Sequence, residues 1–266
     1  MGWGRTFLLG DIGNRLDISD CEQDIRVLKE SLMEMHQEEH EVDAEFRALQ
    51  IENNELKLYV ADSVNGKIHV FGRDGGHLFS IKQAGYAALQ RPTGLSYSAE
   101  KKILYAVDTA AHKIYAFTNK GALLFSFGER GEKKGQFNYP THIVASPDGR
   151  LYVTDSMNFR VQVFDASGAF LSSFGHHGNG SGDFSMPKGI AVDKTGSIYV
   201  VDSLFDNIQL FSLTGTLLLT IGGRGTGQGE FWLPSGLFLD KKDKLYVCDT
   251  FNHRVQVFQV IGNHHE

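Results

Sequence analysis

One 14-residue motif recurs five times along this chain. LYVADSVNGKIHVF (58–71), LYAVDTAAHKIYAF (104–117), LYVTDSMNFRVQVF (151–164), IYVVDSLFDNIQLF (198–211) and LYVCDTFNHRVQVF (245–258) start 46 or 47 residues apart. Five copies in register confine the chain to a repeat architecture in which each unit is one supersecondary element packed on the next. Within a copy, two short runs of β-branched and aromatic residues flank a polar connection such as Ser156–Asn158, which predicts a β-hairpin. Upstream, Pro140–Ala145 ends at the turn sequence SPDG, and downstream AFLSSFG follows DASG. Each full unit therefore predicts four antiparallel strands, a to d. A four-stranded sheet repeating every ~40–50 residues is a propeller blade, whereas a parallel β-solenoid has a shorter period and no hairpins.

The units are not all complete. Proline opens strand a only at Pro92, Pro140, Pro187 and Pro234; the first unit shows strands b to d, and the last shows a to c. That makes about 18 strands, against about 20 for five four-stranded blades and about 24 for six. The ring reads as incomplete, with strand edges near residues 58 and 258 that need cover or a partner.

A change in composition marks the boundary before this array. Residues 1–56 hold 5 Lys/Arg against 14 Asp/Glu, a net of −9, while residues 57–266 carry a net of +3. Residues 1–16 read as an N-terminal segment and 57–266 as the propeller. Residues 17–56 contain neither Gly nor Pro and follow a heptad pattern, which predicts an N-terminal α-helix. Counting heptads from Ile18, the a positions include Ile25, Leu32, Phe46 and Asn53, and the d positions Leu28, Met35, Val42, Leu49 and Leu56. Such a seam predicts a coiled coil that pairs two copies, with Asn53 setting the register. The competing reading is one amphipathic helix laid on the propeller. No stretch reads as a membrane span or a signal sequence, and Cys21 and Cys248 imply no disulfide framework, so the expected location is cytoplasmic.

The units resemble the NHL-repeat β-propellers. The resemblance rests on Pro-x-Gly-(Ile/Leu), LYVxDSxNxRVQVF and the following glycine-rich loop, and in the second half on GQFNYPTHIV, MPKGIAVD and GEFWLPSG. It implies a mainly β fold of the six-bladed NHL type, with about five blade units present here. It also implies a ligand face around the central channel.

That face is the one to which the b–c hairpins and the d-to-a loops project. Its candidate binding residues are Asp155, Asn158, Phe159, Arg160, Asp202, Asn207, Asp249, Phe251, Asn252 and Arg254, with His142, which stands where other units have glycine. A structural role competes strongly: Asp155 to Arg160 and Asp249 to Arg254 share one spacing of five, which sets acid against base across a hairpin. Asp202 is followed at that spacing by Asn207, so its carboxylate is expected to be the freer one. His112, His142, His176, His177 and His253 belong to different units without a short ligand spacing, and no metal site or cofactor is assigned. There is no GxSxG elbow and no P-loop.

The expected function is that of a non-enzymatic scaffold binding a protein or peptide partner, dimerised through Ile25, Leu28, Leu32, Met35, Leu49 and Asn53. Two other readings follow from the resemblance. One is single-stranded RNA binding, for which Arg130, Lys133, Lys134, Lys188, Arg224 and Phe159 supply charge and an aromatic ring. The other is a metal-dependent lyase or lactonase-like propeller enzyme, whose ligands do not map onto this sequence residue by residue.

Overall fold

A computed structural model describes residues 57–261. The predicted N-terminal segment and the helix over 17–56 lie outside the described residues.

Five antiparallel sheets follow one another along the chain, each with its strands in sequence order. Blade I holds Lys57–Asp62, Lys67–Gly72 and His77–Ile81; blade II holds Pro92–Ser98, Ile103–Asp108, Lys113–Thr118 and Leu123–Phe127. Blade III comprises Pro140–Ala145, Leu151–Asp155, Arg160–Phe164 and Phe170–Phe174, and blade IV comprises Pro187–Val192, Ile198–Asp202, Asn207–Phe211 and Leu217–Ile221. Blade V has Leu237–Leu239, Lys244–Asp249 and Arg254–Gln259. Among the described residues the first sheet has no strand a and the last no strand d. A two-residue ribbon, Gln83–Ala84 with Ala87–Ala88, stands between blades I and II. Among the described residues no helix is long and apolar enough to cross a membrane.

Sheet packing explains the alternation in the motif. Tyr105, Ala116, Leu151 and Val153 share one buried cluster between blades II and III; Tyr152, Val161, Ile198 and Val200 form the next, between III and IV. Corresponding clusters join I to II and IV to V. Among the described residues there are four such cores for five blades, and none joins V to I. Burial of equivalent side chains shows the same thing. Phe117, Phe164 and Phe211 are buried, whereas Phe258 is only half-buried and the neighbouring Val257 is exposed.

Hydroxyl groups tie the blades together at one end of the channel. Ser63, Thr109, Ser156 and Ser203 each donate to the backbone carbonyl of the proline that opens the next blade: Pro92, Pro140, Pro187 and Pro234. In blade V the equivalent Thr250 pairs with Ser235 of its own sheet.

The inner-strand glycines allow the blades to approach. A Cβ on Gly94 would lie 2.6 Å from the Thr141 carbonyl oxygen, and one on Gly189 would lie 2.7 Å from the backbone of both Ser235 and Leu237. The Gly189 N–H also bonds the Ser235 carbonyl at 2.9 Å. Loop phenylalanines Phe137, Phe184 and Phe231 are fully buried, each seated against a glycine at the end of strand d. This is why the FG and IG motifs are followed by a second aromatic before each proline.

Candidate functional site

Backbone bonds place the b–c hairpins and the d-to-a loops on one face. The N–H groups of Thr109, Met157, Ser203 and Phe251, all in hairpins, donate to the carbonyls of Arg91, Asn138, Met186 and Trp232, which immediately precede or nearly precede strand a of the same blade. The strand-b aspartates sit at this junction. Asp155 accepts from the Asn138 N–H at 2.7 Å, from Asn158 at 2.9 Å and from Gln162 at 3.0 Å. It also receives Arg160 Nε at 2.8 Å. Asp249 has the same set in Trp232, Asn252, Gln256 and Arg254. Asn158 and Asn252 reach further, to the loop carbonyls of Gly131 and Gly225. Both aspartates are fully buried, and burial lifts the Asp155 carboxyl above the usual range despite its donors.

These residues therefore hold the hairpin to the loop. Of the sequence-derived candidates, Asp155, Asn158, Arg160, Asp249, Asn252 and Arg254 spend their polar groups inside the protein. Asp202 departs from expectation. Lacking an arginine across the hairpin, it is still fully buried, and its two oxygens accept the N–H groups of Ser185, Met186, Leu204 and Phe205. The acceptor that looked free in sequence is saturated by backbone donors, two of them 16 and 17 residues upstream and two in its own hairpin.

Phe159 ends its hairpin in the left-handed region (φ 55°) and packs against the His177 ring at 4.4 Å between centroids. His112 occupies the equivalent place in blade II, where it is buried, accepts the Tyr139 N–H at 3.1 Å and meets the Tyr139 ring edge-on. It braces the next loop.

Exposed on this face, besides charged loop residues such as Arg130, Lys133, Lys134 and Arg224, is a repeated apolar position. The second hairpin residue is Val64, Ala110, Met157, Leu204 and Phe251 in blades I to V. Four of these are strongly exposed: Val64 94%, Met157 46%, Leu204 52% and Phe251 53%. Beside Phe251 lies Trp232 at 5.6 Å, with the Arg224 guanidinium 5.3 Å from the indole. Only Phe251 of this set was singled out from sequence. The signal for the others was present, since one column of the aligned repeats is apolar at the tip of a polar hairpin in every copy, where a turn calls for polar residues.

His142 lies inward of this face. Together with the inner strands of all five blades it lines a central cavity of about 450 Å³. Its Nδ1 is buried with no hydrogen-bond partner. Burial, followed by the charge of Lys188, pushes the ring down to about 4. Lys188 is itself shifted downward by burial. A histidine whose folded value lies below its unfolded one supports the fold above pH ~6.5, and that contribution is lost as pH falls toward 4. The loss is at most about 3 kcal/mol. Chemical denaturation from pH 7 to 4 is expected to show this decline, and His142→Gly, the residue of the sister blades, is expected to flatten it. Among the described residues, no three His, Cys, Asp or Glu side chains converge as a metal-ligand group.

Comparison with known proteins fits this architecture. Residues 139–218 match the family model DUF5128, described as a 6-bladed beta-propeller, and residues 231–258 match the NHL repeat. No curated protein matches the sequence. Among solved structures, a catalytically inactive virginiamycin B lyase from Staphylococcus aureus with quinupristin is similar with a TM-score of 0.55 and 15% identity, covering 79% of this chain and 69% of that one. A streptogramin B lyase gives 0.53 and 15%, over 77% and 69%. A chain of a nidogen/laminin complex gives 0.57 and 21%, over 76% and 72%. At these identities the likeness is one of fold.

Proposed function

For this NHL-repeat β-propeller we propose a binding function, in which the hairpin face takes a protein or peptide partner. The observation that carries the reading is the apolar residue repeated at the hairpin tip of every blade. Four apolar side chains exposed at equivalent points of four hairpins, one of them joined by Trp232, give this face repeated apolar contact points. Trp232, Phe251 and Arg224 add the side-chain types that dominate binding energy at protein interfaces. The hairpins that carry them are bonded to the neighbouring loops through Asp155, Asn158, Arg160, Asp249, Asn252 and Arg254, and a surface ordered beforehand binds at less cost. A similar fold in the nidogen/laminin complex supports a partner of this class, while the lyase neighbours represent the enzymatic alternative.

The heptad seam of residues 17–56, with Ile25, Leu28, Leu32, Met35, Leu49 and Asn53, is proposed to pair two chains. A dimer presents two hairpin faces and binds repeated partners with higher avidity.

One experiment addresses both proposals. Peptides selected by display on the full chain are expected to lose at least about tenfold in affinity when Met157, Leu204 and Phe251 are changed together to Asp. The unfolding midpoint should stay nearly constant, because exposed positions contribute within about 0.5 kcal/mol. Selection that yields no binder, or binders indifferent to the triple change, would sink the surface reading. Tight, salt-dependent binding of an RNA homopolymer in its place would point to the nucleic-acid alternative. Light scattering of the same samples should give the mass of two chains, and a monomer removes the pairing proposal.

A further inference from the structure

Five residues after the strand-b aspartate the blades carry Lys67, Lys113, Arg160, Asn207 and Arg254. The two arginines do the same work. Arg160 bonds Asp155 through Nε and reaches the carbonyls of Lys133 and Gln136 with Nη2, at 3.0 and 2.9 Å. Arg254 bonds Asp249 and reaches the carbonyls of Thr226, Gly227 and Glu230 at 2.8, 2.6 and 3.0 Å. In each case a guanidinium fills the space between the hairpin and the glycine-rich loop.

Blade IV keeps this cradle without the arginine. Its loop has the same turn: the Asp183 N–H bonds the Gly180 carbonyl as Gln136 bonds Lys133 and Glu230 bonds Gly227. The Asp183 carbonyl accepts Gln209 Nε2 at 2.7 Å, just as the carbonyls of Gln136 and Glu230 accept their glutamines. In those two blades the same carbonyl also accepts the arginine. Asn207, paired across the hairpin with Asp202, is too short to reach the loop. Its Oδ1 is buried without a partner. A cavity of about 350 Å³ opens there, lined by Asn179–Gly182, Phe205, Asn207, Gln209 and Thr220.

We infer that this cavity is a guanidinium site that takes an arginine side chain from a bound protein segment. The loop carbonyls that hold a guanidinium in blade III have their counterparts in Gly180 and Asp183 of blade IV, and the Asn207 oxygen adds one more. Arginine presents five donors in a planar fork suited to several converging oxygens, and a lysine ammonium does not. The buried Asp202 carboxylate favours a cation in this corner. The inference extends the hairpin-face reading by naming a side chain the partner carries, but its test does not require that partner.

The test uses the full chain and two small probes, N-acetyl-arginine amide and N-acetyl-lysine amide, followed by amide NMR. The arginine probe is expected to shift the resonances of residues 179–182 and the Asn207 side chain saturably. The lysine probe should bind at least about tenfold more weakly. Asn207→Arg, which supplies the sister blades' own guanidinium, should abolish the response while leaving the unfolding midpoint at or above that of the wild type. Asn207→Leu, which fills the space with hydrocarbon, should abolish it too. Equal responses to the two probes, no saturable response, or a response that survives Asn207→Arg overturns the inference. Phe251→Asp is expected to leave the arginine response unchanged while weakening peptide binding, so failure here is separable from failure of the surface reading.

Discussion

Arg160→Ala is expected to cost about 3–5 kcal/mol of stability, the range for removing one partner of a buried ion pair. Arg160 is 15% exposed at its side chain and Asp155 is fully buried, so alanine leaves a carboxylate out of water with no countercharge. It also strips donors from the Lys133 and Gln136 carbonyls, which releases the loop that seats Phe137. The loss should shrink in acid. Burial already holds the Asp155 carboxyl above its ordinary value, and without the guanidinium it rises further. The folded variant then binds a proton that the unfolded chain at the same pH does not, so lowering the pH from 7 toward 4 stabilises it relative to the wild type. Urea denaturation at both pH values measures this. A penalty below about 1 kcal/mol, or one that grows in acid, would show that the pair does not hold the hairpin to its loop. Arg254→Ala should cost less, since the Arg254 side chain is 31% exposed.

Gly189→Ala tests the packing of blades around the channel. The new methyl would meet the backbone of Ser235, Gly236 and Leu237 at 2.7 to 2.9 Å, and backbone cannot step aside as a flexible side chain can. Overpacking of this kind costs roughly 1–3 kcal/mol or more, and the inter-blade bond from the Gly189 N–H to the Ser235 carbonyl is strained with it. Gly94→Ala should behave alike, against Thr141 and His142. Gly223→Ala is the control: nothing lies within 4 Å of its added carbon, and its effect should stay within about 0.5 kcal/mol. Equal effects at Gly189 and Gly223 would mean that close approach of the inner strands is not what the Pro-x-Gly motif secures.

His142 shows why that motif tolerates an exception. Its side chain is directed to the cavity wall, where the cost appears as an unpartnered nitrogen and a depressed basicity.

The sequence by itself determined the period, the four-strand unit, the order of strands and the face to which the hairpins project. Each of these is written in local patterning, because alternation and turn residues act over a few positions and then repeat. The pairing of Asp155 with Arg160 was also legible, being a contact across one hairpin. Only the tertiary structure decided which polar groups were left to meet a partner. Two of the four N–H groups that saturate Asp202 come from residues 16 and 17 positions away, and the bonds that hold Arg160 and Arg254 to their loops span 24 to 28. Contacts at that distance depend on how a loop folds back over its blade, which no short-range pattern encodes. For the same reason Asp202, which looked free in sequence, is consumed, while Asn207 of blade IV keeps a buried oxygen without a partner.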